Sequence, residues 1–197
     1  MPTLLAMSKR LPLVIAATAE EIVHVPPSVP RVITGLGKSA AAVATAGALA
    51  RLGHEAGGLD GLRVLNVGTA GALRDGLEGL HSPGTVFNHD INGDAIRALG
   101  YDPQDELKVD GDHTVLASGD LFVTDPVVRA RLAERAHLVD MEGYAVALAC
   151  LRFDVPLTLV KHVSDNADET AHDWPTAVAA SAVVLGEWVT RHLDGDV

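Results

Sequence analysis

The chain has 197 residues, of which 48% are hydrophobic and 4% aromatic, and its formal net charge is −11 at pH 7. A chain of this length can bury one sizeable core, so we expect a single domain over residues 1–197 with a core mainly of Ala, Val and Leu. The acidic balance argues against a nucleic-acid partner, because phosphate backbones are bound by clustered Lys and Arg. A small neutral or cationic ligand is compatible with it.

The only cysteine is Cys150. A chain with one cysteine forms no intrachain disulfide, which favours a cytoplasmic location. Cys150 lies in the apolar run YAVALAC, where a buried thiol is a more ordinary interpretation than a nucleophile. No apolar run approaches the roughly 20 residues that span a bilayer, and residues 1–17 do not have the order of a signal peptide. We therefore predict no membrane partner.

Six short apolar stretches are predicted as strands, at residues 11–17, 30–35, 62–68, 84–88, 113–118 and 156–163. Four stretches are predicted as helices, at residues 38–52, 126–136, 141–151 and 174–193. Strands that are apolar on both faces and alternate with helices predict an α/β fold whose sheet is covered on both sides. Residues 74–84 and 101–112 are polar and contain Gly or Pro, and we predict surface loops there.

The segment GLGKSA, residues 35–40, looks like a phosphate-binding loop at the start of a helix. A P-loop requires a further glycine five residues before the Gly-Lys pair, and that position is Val32, inside a predicted strand. This argues against a nucleotide triphosphatase and predicts a tight strand-to-helix turn in which Gly35 and Gly37 permit positive φ. A second Gly-rich turn, GTAGAL at residues 68–73, follows another predicted strand. Ligands of open α/β sheets bind at such turns.

Acidic side chains stand at further points where a predicted element begins or ends. Glu20 and Glu21 follow the first predicted strand, Glu142 begins a predicted helix, and Asp165 follows the strand at residues 156–163. Like charges that converge on one pocket repel each other, so this placement favours a functional site. The structural alternatives are a first-turn dipole partner for Glu142, a turn former for Asp165 and a solvated neighbour for Glu20.

No metal and no cofactor are predicted. The nine histidines show no clustered metal spacing, which argues against zinc. The segment NHDINGD, residues 88–94, is interpreted as a polar loop near the pocket mouth rather than as a cation site.

Six blocks occur along the chain in the order VIAATAEEIV, TGLGKSAAA, LNVGTAGAL, SGDLFV, VDMEGYAVA and VSDNAD. In the order and the local sequence of these blocks, the chain resembles the purine nucleoside phosphorylase and uridine phosphorylase superfamily. Within it, the chain looks most like the nucleosidase branch that acts on 5′-methylthioadenosine and S-adenosylhomocysteine. The resemblance spans nearly the whole chain. It implies a central mixed, mostly parallel twisted sheet flanked by helices, and cleavage of the N-glycosidic bond of a purine nucleoside.

By matching position, the resemblance implies two catalytic residues, Glu21 to activate the attacking water and Asp165 to act as general acid on the purine ring. It also implies six substrate-binding residues: Thr69 near the sugar or water, Phe122 and Val123 at the base, Met141 and Glu142 at the ribose, and Ser164 beside the acid. A purine leaves poorly as an anion, so a proton must reach the ring as the bond stretches. Asp165 must then carry a proton at neutral pH. Lys161, which strand alternation places on the same side, would oppose this.

Water rather than phosphate is predicted as the acceptor. Asn66 stands two residues before the second Gly-rich turn, where the bacterial hexameric phosphorylases of the superfamily carry an Arg. The alternatives left open are a phosphorolytic nucleoside phosphorylase, a futalosine hydrolase and a non-catalytic nucleoside-binding protein.

The chain also departs from the family that it resembles. The segment between Glu21 and Gly35 leaves no room for the strand hairpin that usually lies there, and Thr18 stands where enzymes for methylthioadenosine tend to carry an apolar residue. In the family a neighbouring subunit usually completes the pocket. We therefore predict a homodimer, the commonest symmetric assembly, with residues 88–94 as the segment that the partner borrows.

Overall fold

The computed structural model of the chain describes residues 12–169, 171 and 174–195. The described strands are β1 (Leu13–Ala16), β2 (Arg31–Ile33), β3 (Val64–Ala72), β4 (Leu80–His81), β5 (Pro83–Asn88), β6 (Glu106–Lys108), β7 (Asp112–Ser118), β8 (Leu138–Asp140) and β9 (Leu157–Asp165). The described helices are α1 (Lys38–Ala56), α2 (Gly93–Ala98), α3 (Pro126–Ala133), α4 (Gly143–Arg152) and α5 (Trp174–Asp194), with a 3₁₀ turn at Glu20–Ile22.

The strands form one mixed sheet. Its order is β2-β1-β3-β8-β7-β5-β6, and β9 pairs with β3 and β4. The parallel pairs are β1–β2, β1–β3, β3–β9, β5–β7 and β7–β8. The antiparallel pairs of the described strands are β3–β8, β4–β9 and β5–β6. The predicted α/β fold with a mixed, mostly parallel sheet is confirmed.

Helices cover both faces of this sheet. On one face α1 and α4 pack against each other and bury Leu49 and Val146 in the same cluster as Leu159 of β9. On the other face α5 buries Leu185 and Val189 against residues of β1, β3 and β9. Because both faces are covered, every residue of β1 and nearly every residue of β3 is buried. This explains why these strands are continuous apolar runs.

The parallel course of β1, β3 and β9 positions the functional residues. Their carboxyl ends lie at the same edge of the sheet, since β3 pairs in parallel with β1 and with β9. The 3₁₀ turn follows β1, Thr69 lies near the end of β3, and Asp165 ends β9. Three segments that are far apart in sequence therefore meet at one edge.

The six predicted strands and four predicted helices are all present with shifted bounds, although residue 11 of the first predicted strand lies outside the described residues. The helix predicted to stop at residue 52 continues to Ala56 and ends at Gly57, whose φ of 70° is left-handed. Asp125 caps α3 as its position before Pro126 indicates, accepting hydrogen bonds from the backbone N–H groups of Val127 and Val128 at 2.7 and 3.1 Å.

Four short elements were not predicted. The segments 74–84 and 101–112, predicted as surface loops, contain β4 and β6, and residues 88–94 lead into α2, so those predictions were wrong in part. Strand β8, three residues long, was also missed. Elements of two to six residues show no periodic pattern. Here β4 and β6 form because the edges of β9 and β5 supply backbone partners.

The alternation of β9 is interrupted just before Asp165. Ala70 pairs with Val163, whereas the next residue of β3, Gly71, pairs with Asp165, so Ser164 is the extra residue of a bulge. The simple alternation that predicted Lys161 and Asp165 on one side of the strand therefore does not hold at its end.

The buried position of Leu159 provides a test of this core. Its side chain is fully buried beneath α1 and α4, so we expect Leu159→Ala to lower the free energy of unfolding by about 2–5 kcal/mol. Leu151→Ala, on the exposed side of α4, is the matched control and should change it by less than about 0.5 kcal/mol. Urea denaturation followed by circular dichroism measures both values, and equal losses would contradict the assignment of the core.

Candidate active site

A cavity of about 390 Å³ opens at the sheet edge where β1, β3 and β9 end. All eight residues predicted for the site line it: Glu21, Thr69, Phe122, Val123, Met141, Glu142, Ser164 and Asp165. They come from five separate segments of the chain, so their meeting is a property of the fold rather than of local sequence. Glu20 is exposed and does not line the cavity, which agrees with its interpretation as a solvated neighbour.

Glu21 is buried and held by three donors. The backbone N–H of Thr18 donates to Oε2 at 3.2 Å, and the backbone N–H and hydroxyl of Thr69 donate to Oε1 at 2.8 and 3.0 Å. The carboxylate can approach β3 this closely because residue 68 is glycine: a Cβ at Gly68 would lie 3.0 Å from Oε1 of Glu21. These contacts fix the orientation of the carboxylate at the cavity wall.

Asp165 is held in the same manner at the end of β9. The hydroxyl of Ser164 donates to Oδ2 at 2.6 Å, and the backbone N–H of Ala167 donates to Oδ1 at 2.8 Å. A Cβ at Gly71 would lie 3.0 Å from Oδ1 of Asp165 and 2.9 Å from the side chain of Ala167. The bond to Ala167 makes Asp165 a turn former, which was the structural alternative to a functional role. Asp165 also lines the cavity.

Glu142 precedes α4 at the N-cap position, but its side chain makes no capping hydrogen bond to that helix. Its Oε1 accepts from the backbone N–H of Gly37 at 2.7 Å. It therefore complements the N-terminus of α1, and the structural alternative of a dipole partner within its own helix is wrong. Burial and the nearby carboxylate of Asp140 raise the pKa of Glu142 to about 7, although the Gly37 bond and Lys161 act in the opposite direction.

The GLGKS turn binds carboxylates of its own chain. Besides the bond from Gly37 to Glu142, the backbone N–H of Lys38 donates to Oδ1 of Asp120 at 2.7 Å. The ammonium of Lys38 bonds to Oδ1 of Asn88 at 2.7 Å and pairs with Asp90. The lysine that makes this segment look like a phosphate-binding loop thus ties residues 88–94 to α1. Asp90, in that segment, is therefore paired with a cation of its own chain.

A buried ion pair lies beneath the cavity, and sequence reasoning missed it. Nζ of Lys161 lies 2.8 Å from Oδ2 of Asp140, and both side chains are only 2% exposed. Burial alone would lower the pKa of Lys161, but Asp140, Glu142 and Glu21 outweigh this and raise it above its ordinary value. One signal could have revealed the pair: a lysine within the apolar run LTLVKHV requires an opposite charge if the strand is buried.

Much of the remaining lining is apolar. The apolar part consists of Ala17, Leu36, Ala70, Gly71, Leu121, Val139, Ala167 and Ala171. Three large apolar side chains stand partly in solvent at the mouth, with Leu36 62%, Leu121 49% and Phe122 47% exposed. A cavity with apolar walls and a few converging polar groups is the form typical of small-molecule sites.

Other candidate chemistry lies outside this cavity. Burial raises the pKa of the Cys150 thiol to about 12, which suppresses the thiolate and agrees with a structural role in the core of α4. In the described ranges, no group of three or more His, Cys, Asp or Glu side chains is arranged to hold a metal ion. None of the helices described is both long enough and apolar enough to cross a membrane.

Comparison with known proteins shows which family the chain resembles. The sequence model of the Phosphorylase superfamily matches residues 94–187. The chain is 28% identical over 138 residues to the 5′-methylthioadenosine/S-adenosylhomocysteine nucleosidase of Buchnera aphidicola subsp. Baizongia pistaciae, a match that covers 56% of this chain and 54% of the relative. It is 36% identical over 81 residues to the aminodeoxyfutalosine nucleosidase of Helicobacter pylori, covering 40% and 35%. The chain thus spans about half the length of these relatives or less.

The fold also matches a crystal structure. A variant of the Helicobacter pylori 5′-methylthioadenosine/S-adenosylhomocysteine nucleosidase, with 5′-methylthioadenosine in its active site, superposes with a TM-score of 0.80 at 22% identity. The match covers 94% of this chain and 99% of that chain. At this identity the likeness shows the fold alone. The family match, the related sequences and the shared fold agree in making the chain similar to the Phosphorylase superfamily.

Proposed function

We propose that the chain is a metal-independent nucleosidase. It hydrolyses the N-glycosidic bond of a purine nucleoside, such as 5′-methylthioadenosine or S-adenosylhomocysteine, to the free base and a ribose-type sugar. The observation that carries this proposal is that Glu21 and Asp165, which follow different strands, line one cavity together with Glu142. The similarity of the chain to nucleosidases supports it.

Breaking the ribosyl C–N bond builds positive charge on the sugar and negative charge on the departing base. Glu21 acts on the sugar side, where its carboxylate takes a proton from the attacking water. The hydrogen bonds from Thr18 and Thr69 hold this carboxylate in place, so it does not have to reorient as the water attacks. The negative charge also favours the positive sugar of the transition state.

Asp165 acts on the base, as the general acid that protonates a ring nitrogen. Each carboxyl oxygen of Asp165 accepts one hydrogen bond, from Ser164 or from Ala167. A carboxyl oxygen offers two lone-pair sites, so a site remains on either oxygen to carry the proton that is donated. Ser164 thereby positions the acid rather than taking part in the transfer.

The other predicted residues bind the substrate. Glu142 accepts hydrogen bonds from ribose hydroxyls, with Met141 packed against the sugar. Phe122 stacks on the base, and Val123 offers backbone groups to its edge. Phe122 is 47% exposed at the cavity mouth, whereas Val123 is buried, which suits a stacking face beside a fixed backbone.

Water is the acceptor because the cavity is negative. The carboxylates of Glu21, Asp140 and Glu142 line it, and they repel a phosphate dianion. Lys161, a cation that acts on Glu142, is already paired with Asp140. Asn66 is buried inside the sheet, and its amide donates to the carbonyl of Ile15 at 3.0 Å, so it supports β1 rather than the ligand.

A second candidate substrate class is a futalosine-type nucleoside, which the similarity to the aminodeoxyfutalosine nucleosidase favours. It carries a different 5′ substituent on the same ribose, so the proposed chemistry is unchanged. A panel of 5′-methylthioadenosine, S-adenosylhomocysteine, adenosine and aminodeoxyfutalosine distinguishes the two classes by their kcat/KM values.

We further propose that the chain acts in the cytoplasm as a homodimer. The partly exposed apolar side chains of Leu36, Leu121 and Phe122 at the cavity mouth are a surface that a second subunit would cover. The single buried Cys150 is compatible with a reducing compartment.

The role of Asp165 is tested by purine release. We expect wild-type protein to release adenine from 5′-methylthioadenosine, and Asp165→Asn to lower kcat by about 10²-fold or more, because the amide cannot supply the proton. Release is measured by liquid chromatography. Binding of a non-hydrolysable nucleoside analogue serves as a folding control for the variant. Equal activity of variant and wild type would reject the mechanism, and binding without any wild-type turnover would indicate a non-catalytic nucleoside-binding protein.

The neighbouring pair Glu20 and Glu21 offers a matched comparison. We expect Glu21→Gln to lower kcat by about 10²-fold or more, since the amide cannot accept the proton of water. Glu20→Gln removes the same charge one residue away, on an exposed side chain, and should leave kcat within a factor of about two. Similar losses in both variants would show that net charge, rather than a base at Glu21, matters.

The acceptor is tested by the sugar product. We expect free sugar, formed at the same rate with and without inorganic phosphate, because the carboxylates of the cavity exclude a dianion. Mass spectrometry of the products distinguishes the free sugar from its 1-phosphate. A sugar 1-phosphate that appears only when phosphate is added would establish a phosphorylase instead.

A further inference from the structure

We propose that the buried ion pair of Lys161 and Asp140 positions Glu142 to bind the sugar and controls the pH range in which it does so. Neither residue is assigned to substrate; both act through Glu142 and are positioning residues. The proposal rests on the proposed nucleosidase function for its kinetic consequence, whereas its electrostatic content concerns the protein alone.

The geometry begins at the junction of β8 and α4. Oδ2 of Asp140, the last residue of β8, is bonded both to Nζ of Lys161 at 2.8 Å and to the backbone N–H of Gly143 at 2.9 Å. Glu142 therefore lies in a turn whose ends, Asp140 and Gly143, are bonded to each other. A Cβ at Gly143 would lie 2.9 Å from Oδ2, so the close fit of Asp140 against the start of α4 depends on glycine there.

Asp140 depends on Lys161 for its charge balance. Its Oδ1 is buried and accepts no hydrogen bond from the described residues, so the ammonium of Lys161 is the counter-charge on this carboxylate. Lys161 comes from β9, the same strand that ends at Asp165. The pair therefore joins the turn that carries the sugar-binding carboxylate to the strand that carries the proposed acid.

The charged groups that act on Glu142 come from three elements. They are Asp140 from β8, Lys161 from β9 and Glu21 from the turn after β1. The contribution of α1 is the backbone N–H of Gly37, which donates to Glu142.

Two further ionisable groups nearby are already engaged. The ammonium of Lys38, on α1, is paired with Asp90, and Asp165 is held by Ser164 and Ala167. Lys161 is thus the cation that opposes the carboxylates at the base of the cavity.

The two members of the pair act on Glu142 in opposite senses. The negative charge of Asp140 raises its pKa, and the positive charge of Lys161 lowers it. An ionised carboxylate offers only acceptors and can bind two ribose hydroxyls, whereas the protonated form gives up part of that capacity. The ion pair therefore sets the pH below which the sugar is bound poorly.

Opposite shifts of the pH profile test this inference. We expect Lys161→Met to move the acidic limb of kcat/KM to higher pH by about one unit or more, because an opposite charge near Glu142 is lost. The loss should reach roughly tenfold at pH 6 and appear mainly in KM. We expect Asp140→Asn to move the limb to lower pH, since a like charge is lost. Lys161→Arg should keep the wild-type limb, and the limb of the double variant Asp140→Asn/Lys161→Met should lie between those of the two single variants.

A purely structural role predicts a different result, namely losses at all pH values and shifts in the same direction for both single variants. That outcome, or unchanged limbs in folded variants, would overturn the inference. Breaking a buried ion pair destabilises a protein, so thermal unfolding is recorded at each pH. Should Lys161→Met not fold, Asp140→Asn and Lys161→Arg still carry the comparison.

Direct titration separates this inference from the proposed function. Carbon-13 NMR of Glu side-chain carboxyls, assigned with Glu142→Gln, reports the ionisation of Glu142 whether or not the protein cleaves a nucleoside. Absence of wild-type turnover with opposite NMR shifts in the two single variants would reject the function and keep the electrostatic role. Turnover with equal NMR titrations would reject the role and keep the function.

Discussion

The structure depends on the compensation of negative charge at one edge of a buried sheet. Glu21, Asp140, Glu142 and Asp165 line the same cavity, and uncompensated carboxylates at such short range would repel each other strongly. Backbone N–H groups hold each of these side chains, and Lys161 supplies a positive charge beneath them. This explains why three positions near the site require glycine. A side chain at Gly68, Gly71 or Gly143 would come too close to a carboxyl oxygen.

Helix α1 shows how a familiar local design serves this arrangement. The N-terminus of a helix favours anions because its first N–H groups lack partners within the helix. In nucleotide-binding loops the anion is a phosphate. Here the N–H groups of Gly37 and Lys38 bind the carboxylates of Glu142 and Asp120. The turn therefore builds the site from within the chain, and it holds together segments more than eighty residues apart in sequence.

The sequence allowed prediction of strands and site residues wherever a residue type had a single physical reason to occupy its position. Apolar runs indicated the buried strands, and acids directly after them indicated where Glu21 and Asp165 would meet. Prediction failed where the reason lay in a partner distant in sequence. The ion pair of Lys161 with Asp140 exists only because β8 and β9 both approach β3. The bulge at Ser164 likewise arises from pairing register, which no pattern within β9 reveals.

The sign of the charge at the site links this fold to the proposed reaction. A purine nucleoside is neutral, but its sugar becomes positive as the C–N bond breaks, so a negative cavity binds the transition state better than the ground state. The same charge repels an anionic acceptor and has no such effect on water. An Arg or a free Lys in the cavity would reverse both effects. The pairing of Lys161 with Asp140 is therefore decisive, because it stabilises the acidic cluster without presenting a free positive charge to the ligand.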